Sequence, residues 1–227
     1  MADEKSTQPV DAPADLLTAH AANQGDKVAV IDDRGDGNVR QLTYAELEQQ
    51  ANRLAHVLID HGVTRGDKVV WCGQNSTGIV MMVNAARTIG ATAVPLNYRL
   101  SDEEAAYVVD HSDATTVYVD AEFAPMFDRI GAEIPKVTNV FVFDGNADGA
   151  MTAIDPLVDV APDTPPEVPE ATEAAATMIY TSGTTGKPKG AFRRTAGSVA
   201  QSAALLEHIG YRPDDRYITT GPLYHSG

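Results

Sequence analysis

Short apolar runs alternate with amphipathic segments from residue 43 to residue 143, and no other feature of the sequence constrains the fold as strongly. Two of the amphipathic segments open with a capping box, Thr43 with Glu46 and Ser101 with Glu104, which marks the first turn of a helix. Strands that alternate with helices at this spacing are typical of parallel sheets covered by helices. We therefore predict an α/β fold with layered, mostly parallel sheets flanked by helices.

The limits of the predicted elements follow from apolar periodicity and from the glycines and prolines between the periodic segments. The predicted helices cover residues 14–23, 43–61, 76–89, 101–111, 122–131 and 195–209. The predicted strands cover residues 27–32, 40–44, 68–73, 92–96, 115–119, 137–143, 176–180 and 217–220. The first two strands flank an Asp- and Gly-rich turn, so we expect the second to return along the first.

Two regions lie outside this alternation. Residues 1–13 are polar and acidic, and we predict a disordered tail. Residues 145–173 contain prolines and acidic residues but no lysine or arginine, which predicts an exposed connection with at most one helical turn near Ile154. The connection is either a domain boundary or a surface loop. We favour the loop, because the strand that follows needs neighbours in a sheet.

The stretch Tyr180–Gly190, YTSGTTGKPKG, combines glycines, hydroxyl side chains and lysines. Glycines allow successive N–H groups to point at a ligand, and hydroxyl and ammonium groups add donors and positive charge. No lysine or arginine occurs over residues 137–186, and several follow over residues 187–194, so the stretch is a positive region in an acidic chain. It is not a Walker A loop, because Pro188 follows the first lysine. The composition favours triphosphate binding, and a flexible linker is the alternative.

The complete string YTSGTTGKPKG resembles the phosphate-binding signature of the AMP-forming adenylate-forming enzymes, which include the acyl-CoA synthetases. Three more segments resemble motifs of that family in the same order: LTYAEL at 42–47, GATAVPLNYR at 90–99 and PLYHSG at 222–227. The resemblance implies that residues 14–227 are the first part of the large N-terminal domain of an acyl-CoA synthetase. It also implies that a carboxylic acid, expected to be a fatty acid, reacts with ATP and Mg²⁺ to an acyl-adenylate and then with coenzyme A to a thioester.

The resemblance also implies roles for individual residues. The phosphate-binding residues would be Thr181, Ser182, Gly183, Thr184, Thr185, Gly186, Lys187 and Lys189. Thr181 would also lie near Mg²⁺, whereas a merely solvated side chain is the alternative for Lys187. His225 would line the acyl pocket near the reacting carboxylate, and an ordinary histidine at a strand end is the alternative.

Members of the family are longer than this chain, and their later motifs are missing from it. These include the magnesium-binding glutamate, the ribose-binding aspartate and the adenylation lysine of a small C-terminal domain. We therefore expect that this domain is absent, that the chain holds no catalytic residue of certain role, and that it is inactive alone. Two alternatives stay open: an adenylation enzyme with another acyl acceptor, and a truncated, non-catalytic protein that binds phosphate or a partner.

The composition of the chain limits the partners that it is expected to bind and the cellular compartment in which it is expected. The net charge of −15 disfavours binding to nucleic acid or to an anionic membrane. The longest uncharged run, residues 69–86, has polar residues at its centre, so no transmembrane segment is predicted. Cys72 is the single cysteine and lies in an apolar run, which predicts a core thiol and a reducing, cytoplasmic location. The expected partners are the carboxylic acid, ATP and coenzyme A, and an uncovered sheet edge predicts self-association or a homo-oligomer.

Overall fold

The computed structural model describes residues 16–35, 37–168, 177–181, 188–193, 199–212 and 214–225. The described helices are α1 (Leu16–Gln24), α2 (Tyr44–Asp60), α3 (Thr77–Thr88), α4 (Asp102–His111), α5 (Ala124–Arg129), α6 (Asp155–Val160) and α7 (Val199–His208). The described strands are β1 (Val28–Asp33), β2 (Val39–Thr43), β3 (Lys68–Cys72), β4 (Thr92–Leu96), β5 (Thr116–Asp120), β6 (Asn139–Phe143), β7 (Thr152–Ala153), β8 (Thr177–Thr181) and β9 (Lys189–Arg193).

The larger sheet has seven strands in the order β7-β6-β5-β3-β4-β8-β9. All neighbouring pairs are parallel except β8 with β9, which confirms the predicted mostly parallel α/β fold. Strands β1 and β2 pair with each other as the predicted hairpin. The chain passes from β3 to β4 on one side and then crosses to β5 on the other side of β3. Such a reversal of strand order is where α/β sheets commonly bind ligands, beyond the carboxyl ends of the strands.

The larger sheet is buried between two apolar layers, because successive side chains of a strand point to opposite faces. Val69 and Trp71 of β3 pack in the layer formed by α2, α3 and α6. Val70 and Cys72 pack in the layer formed by α4 and α5. Cys72 is fully buried, as predicted, and burial raises the pKa of its thiol to about 12. Burial on both faces explains why the central strands are continuous apolar runs in the sequence.

Both predicted capping boxes are present. The Thr43 N–H donates to Glu46 Oε2 (2.8 Å), and the Glu46 N–H donates to Thr43 Oγ1 (3.2 Å). The Ser101 N–H donates to Glu104 Oε2 (3.0 Å), and the Glu104 N–H donates to Ser101 Oγ (3.3 Å). Each box satisfies two N–H groups that the start of a helix would leave without partners. The start of α2 is held in addition by distant residues, because the N–H groups of Tyr44 and Ala45 donate to the carbonyl oxygens of Lys27 and Gly25 (3.0 and 3.1 Å).

The helix predicted over residues 122–131 is present as α5 but is shorter than predicted, because the structure divides this segment. A 3₁₀ helix (Ala121–Phe123) precedes α5, and a second 3₁₀ helix (Gly131–Glu133) follows it. The Asp120 carboxylate accepts from the second N–H of the first 3₁₀ helix, that of Glu122 (3.3 Å). Pro125 lies in the first turn of α5, where its missing N–H costs no helical hydrogen bond. Three short helices thus replace one continuous helix.

The exposed connection predicted over residues 145–173 is wrong for its middle part. There β7 adds to the sheet beside β6, and α6 follows it as the helical turn expected near Ile154. Ile154 is fully buried in the same apolar layer as α2 and α3. Farther along, Asn52 of α2 donates from Nδ2 to the carbonyl oxygen of Asp163 (3.0 Å). The segment is therefore held against α2 by packing and by hydrogen bonding.

The strand predicted over residues 217–220 is also wrong. This segment takes part in no strand pairing of the described chain, and Tyr217 and Ile218 are 72% and 78% exposed. A strand forms only where its backbone groups find partners in a neighbouring strand. The predicted tail, residues 1–13, lies outside the described residues, as does the first turn expected for the helix from residue 195. Each helix that the structure describes is too short or too polar to cross a membrane.

Candidate functional site at the carboxyl edge of the sheet

Strands β8 and β9 form an antiparallel hairpin in which Thr181 lies opposite Lys189. The predicted elements include no strand between residues 180 and 195, and this order is incomplete, because β9 returns along β8 before α7 begins. Thr181 and Lys189 are both exposed and bracket the loop between them. The other predicted phosphate-binding residues lie outside the described residues, namely Ser182, Gly183, Thr184, Thr185, Gly186 and Lys187.

Helix α4 contacts β8 and Pro188, the residue that directly precedes β9. His111 Nδ1 lies 2.8 Å from the Tyr180 hydroxyl oxygen, and the Tyr107 hydroxyl donates to the Pro188 carbonyl oxygen (3.4 Å). Tyr107 and His111 are one helical turn apart, and their ring centroids are separated by 5.2 Å. Burial raises the pKa of Tyr180 to about 12. The Tyr180 hydroxyl therefore stays protonated and available as a hydrogen-bonding group at neutral pH.

The segment that ends at His225 is held at the carboxyl end of β3 by Asn75. Asn75 Nδ2 donates to the Gly221 carbonyl oxygen (2.9 Å), and the Leu223 N–H donates to Asn75 Oδ1 (2.8 Å). The His225 N–H closes a turn by donating to the Pro222 carbonyl oxygen (3.0 Å). His225 itself is exposed. The structure thus brings this histidine to the same edge of the sheet as the hairpin loop.

Aromatic side chains pack beside this turn. The Tyr224 ring meets the Tyr98 ring edge to face, with centroids 5.4 Å apart. Tyr98 also stacks on Phe123, with centroids 4.8 Å apart. Tyr98 follows β4 and Phe123 follows β5, so the rings join three neighbouring loops of the carboxyl edge. Edge-to-face and offset-stacked rings attract each other, so these contacts stabilise the loops together.

The hairpin and the His225 turn lie close together along the sheet. The turn is attached at the end of β3, the loop follows β8, and β4 is the strand between them. Adjacent strands are about 4.8 Å apart, so the two features start about 10 Å apart along this edge. A single ligand of this length, with an anionic part at the hairpin loop and a second part at the His225 turn, is long enough to contact both.

Ion pairs occupy the other part of the carboxyl edge, at the ends of β5 and β6. The Arg34 guanidinium lies 3.7, 3.2 and 2.7 Å from carboxylate oxygens of Asp32, Asp120 and Asp144. Arg40 of β2 also pairs with Asp144, and that hydrogen bond raises the pKa of Arg40. Burial raises the pKa of Asp120, although the charge of Arg34 acts in the opposite direction. The network ties the β1–β2 hairpin to the larger sheet.

A cleft of about 430 Å³ opens beside this network, between β2, α2, α3 and α6. Its polar walls include Arg40, Asp144 and Asp155, and its walls do not include Thr181, Lys189 or His225. Among the residues that the structure describes, no group of three or more His, Cys, Asp and Glu side chains is arranged to hold a metal ion. The Mg²⁺ role expected for Thr181 stays a prediction.

Sequence reasoning missed three side chains that build this edge: Asn75, Tyr107 and His111. Asn75 directly precedes Ser76, the N-cap of α3, so its position indicates only the start of a helix. Its partners are 146 and 148 residues away. His111 looks isolated in the sequence, because Tyr180 is 69 residues away. No local pattern in one sequence reports contacts at such separations.

Comparison with known proteins agrees with this fold. A family model described as AMP-binding enzyme matches residues 17–227. The 3-hydroxybenzoate–CoA ligase of Aromatoleum sp. (strain CIB) is 35% identical over 83% of this chain and 36% of its own length. The crotonobetaine/carnitine–CoA ligase of Citrobacter koseri is 32% identical over 88% of this chain and 40% of its own length.

A solved structure gives the same result. The long-chain-fatty-acid–CoA ligase from Archaeoglobus fulgidus superimposes with a TM-score of 0.82 at 26% identity, over 93% of this chain and 42% of that one. The chain therefore spans about two fifths of the length of these relatives.

Proposed function

The chain belongs to the AMP-binding enzyme family and is similar to its CoA ligases, and on this premise we propose that it serves the ATP-dependent activation of a carboxylic acid. The β8–β9 hairpin would bind the phosphates of ATP, and the turn that ends at His225 would face the acid. The complete reaction, through to the CoA thioester, is proposed for a polypeptide of the length of the relatives. For the 227-residue chain alone we propose the phosphate-binding and acid-facing part.

The observation that carries this proposal is that two exposed sites lie at the same edge of the sheet: the base of the β8–β9 loop and the turn that ends at His225. Lys189 and Thr181 stand opposite each other at the base of the Gly- and Thr-rich loop. His225 stands at the end of a turn attached two strands away. A triphosphate held at the loop would place its nucleotide end within reach of an acid beside His225. The separation of about 10 Å suits a ligand of that size.

The proposed chemistry has two steps. A carboxylate oxygen attacks the α-phosphorus of ATP, a P–O bond forms, and the bond to pyrophosphate breaks, which leaves an acyl-adenylate. The sulfur of coenzyme A then attacks the acyl carbon, releases AMP and forms the thioester. Phosphoryl-type transfer depends mainly on positioning and on stabilisation of charge. Lys189 would supply positive charge to the leaving pyrophosphate, and Mg²⁺, with the Thr181 hydroxyl as one ligand, would neutralise part of the triphosphate.

The identity of the acid is a finer part of the proposal. The relatives are named for hydroxybenzoates, for crotonobetaine and carnitine, and for long-chain fatty acids. We propose a hydrophobic carboxylic acid, with a fatty acid as the first candidate and an aromatic acid as the second. The rings of Tyr98, Phe123 and Tyr224 beside the turn are compatible with either.

Carboxylate-dependent exchange of radioactive pyrophosphate into ATP tests the proposal directly. The assay contains Mg²⁺ and a panel of octanoate, palmitate, benzoate and 3-hydroxybenzoate, with acetate as a small control. It is run on this chain and on the longest polypeptide that its gene encodes. Exchange that depends on one of the acids supports adenylation, and the most active acid identifies the substrate class. Exchange in neither polypeptide would reject the proposal.

The two other hypotheses give different results in the same preparation. An enzyme with another acyl acceptor would show pyrophosphate exchange but no thioester when coenzyme A is added. A non-catalytic protein would bind pyrophosphate, measured by calorimetry, without exchange. The CoA ligase names of both curated relatives favour the first proposal over these two.

A further inference from the structure

Asn75 uses both ends of its side-chain amide to hold the segment that carries His225. Its Nδ2 donates to the Gly221 carbonyl oxygen (2.9 Å), and its Oδ1 accepts from the Leu223 N–H (2.8 Å). A side-chain amide offers a donor and an acceptor side by side at any pH at which the protein is folded. The two hydrogen bonds fix both the place and the rotation of the segment relative to the end of β3.

The backbone that presents Asn75 is itself confined. Gly73, two residues earlier, is so closely packed that a Cβ there would lie 3.1 Å from Asp120 Cβ and 3.3 Å from the Phe143 ring. Ser76, directly after Asn75, is buried and caps α3 by accepting from the Ile79 N–H (3.3 Å). Asn75 therefore projects from a short, fixed connection between a central strand and a helix. A side chain on such a support can impose its geometry on a partner segment.

The segment that Asn75 holds is weakly anchored on its approach. Tyr217 and Ile218 are 72% and 78% exposed, so packing of these residues does not set the path of the chain. From Gly221 onward the path becomes defined by the Asn75 amide, by the closure of the turn at His225 and by the Tyr224 ring against Tyr98. The orientation of His225 therefore depends on contacts that begin at Asn75.

We infer that Asn75 is a positioning residue for His225, and this inference rests on the proposed function of that turn. Asn75 does not touch the reacting atoms in this scheme. It holds the turn so that His225 faces the carboxylate of the acid. Small misplacements of a group that orients a substrate reduce the rate by up to about 100-fold. We expect the loss to fall on the acid and not on ATP, because the loop predicted to bind phosphate follows β8, and β8 is held at Tyr180 by α4 and not by Asn75.

The first test needs no activity and uses the 227-residue chain. Amide hydrogen exchange is measured by NMR for residues 221–225 and for strands β3 and β5 in wild type, Asn75→Ala and Asn75→Asp. The aspartate variant keeps an acceptor for the Leu223 N–H, but it sets a carboxylate oxygen against the Gly221 carbonyl oxygen, and the two acceptors repel each other. We expect the Leu223 amide to lose at least about ten-fold of its protection in both variants, whereas the amides of β3 and β5 keep theirs. An equal loss of protection in β3 and β5 would show general destabilisation and would count against the inference. Unchanged protection of Leu223 in Asn75→Ala would overturn the inference, whether or not the protein is an enzyme.

The second test uses the polypeptide that shows pyrophosphate exchange. Asn75→Ala is expected to lower kcat/KM for the acid by about 10- to 100-fold and to leave the KM for ATP within about two-fold. Gln74→Ala is the matched control, because Gln74 lies in the same connection and donates to Glu122 instead (2.9 Å). It should leave both parameters near those of wild type. An equal change for the acid and for ATP in Asn75→Ala would exclude the positioning role. A wild-type protein without exchange would reject the proposed function, and the NMR result would still decide whether Asn75 holds the turn.

Discussion

Lys189 is the one lysine of the predicted phosphate loop that the structure describes. Because of its environment, a substitution there is expected to affect ligand binding and folding differently. It is exposed on β9, the last strand of the larger sheet, opposite Thr181. An exposed side chain on an edge strand contributes little to stability, whereas its charge can attract an anion strongly at short range. A change at Lys189 should therefore affect ligand affinity much more than folding.

We predict that Lys189→Ala weakens pyrophosphate binding by about 10- to 100-fold, because a hydrogen bond to a charged group contributes about 1.5–3 kcal/mol. The melting temperature should stay within about 2 °C of wild type. Calorimetric titration of both proteins with pyrophosphate and Mg²⁺ measures the effect. Lys27→Ala, which removes the same charge next to β1, is the control. Equal weakening in both variants would show that only the net charge matters.

At the scale of elements, α4 supports the β8–β9 hairpin through Tyr180. The pKa of Tyr180 is raised to about 12 in the folded protein, against about 10 for an unperturbed tyrosine. Because the folded value is the higher one, the contribution of this hydroxyl to stability is complete below about pH 10. It is lost as the pH rises from about 10 through about 12.

Tyr180→Phe should reveal this dependence. We predict that the variant is less stable than wild type by about 1 kcal/mol at neutral pH, because the hydrogen bond to His111 is lost. The difference should shrink as the pH rises above about 10, since only wild type then has a hydroxyl to ionise there. Urea unfolding at a series of pH values measures both free energies of unfolding. A difference that stays constant from neutral pH to about pH 12 would contradict the prediction.

The contact of α3 with the sheet depends on a glycine. A Cβ at Gly78 would lie 2.7 Å from Phe143 Cδ2, and Phe143 is fixed by stacking on Tyr118 with centroids 4.5 Å apart. We predict that Gly78→Ala destabilises the protein by about 1–3 kcal/mol, the usual cost of overpacking a core. Gly131→Ala is the control, because nothing lies within 4 Å of the Cβ position there. Denaturant midpoints compare the two, and equal shifts would refute the packing argument.

At the scale of the whole molecule, Asp144 joins the β1–β2 hairpin to the larger sheet. Its carboxylate accepts from Arg34 and from Arg40, and its side chain is 17% exposed. Asp144 also has a φ of +56°, a conformation that asparagine tolerates about as well as aspartate. The substitution Asp144→Asn therefore removes the charge without adding backbone strain.

We predict that Asp144→Asn lowers the free energy of unfolding by about 1–3 kcal/mol, because two arginines lose a charged partner. Asp113→Asn is a closely matched control: its φ is +57°, and its carboxylate pairs with Lys136 (2.9 Å) while being 67% exposed. An exposed pair is screened by water, so the midpoint of this control should stay near that of wild type. Urea unfolding tests both, and a smaller effect at Asp144 than at Asp113 would be evidence against the network.

Exposed apolar side chains near the end of the described chain lead us to expect that copies of this chain associate with one another. Leu205, Leu206 and Ile209, in and directly after α7, are 59%, 48% and 55% exposed, and Phe192 on β9 is 44% exposed. Such groups and an edge strand favour association. We predict concentration-dependent self-association that the double variant Leu205→Glu, Leu206→Glu reduces. Analytical ultracentrifugation measures it, with Val160→Glu, an isolated exposed site on α6 (83%), as the control. A monomer at every concentration would contradict this.

The features that the sequence determined are those set by neighbouring residues. The capping boxes at Thr43 and Ser101 define helix starts through hydrogen bonds that span three residues. They can therefore be recognised in the sequence without a structure. Apolar runs such as β3 and β5 predicted buried strands because a strand covered on both faces has few polar side chains. The order of these elements predicted the parallel sheet, and the string from Tyr180 to Gly190 indicated the family.

The tertiary structure decided what depends on distant pairings. Only strand pairing shows that β9 returns along β8, because the strand partner of Lys189 is chosen by the sheet and not by its neighbours. Residues 152–160 resembled an open connection because Pro156, the acidic residues and the further prolines after residue 160 gave no sign that Ile154 is buried against other elements. Asn75 and His111 meet partners 146 and 69 residues away. Such contacts arise from the summed packing of the whole sheet, and no short pattern in the sequence encodes them.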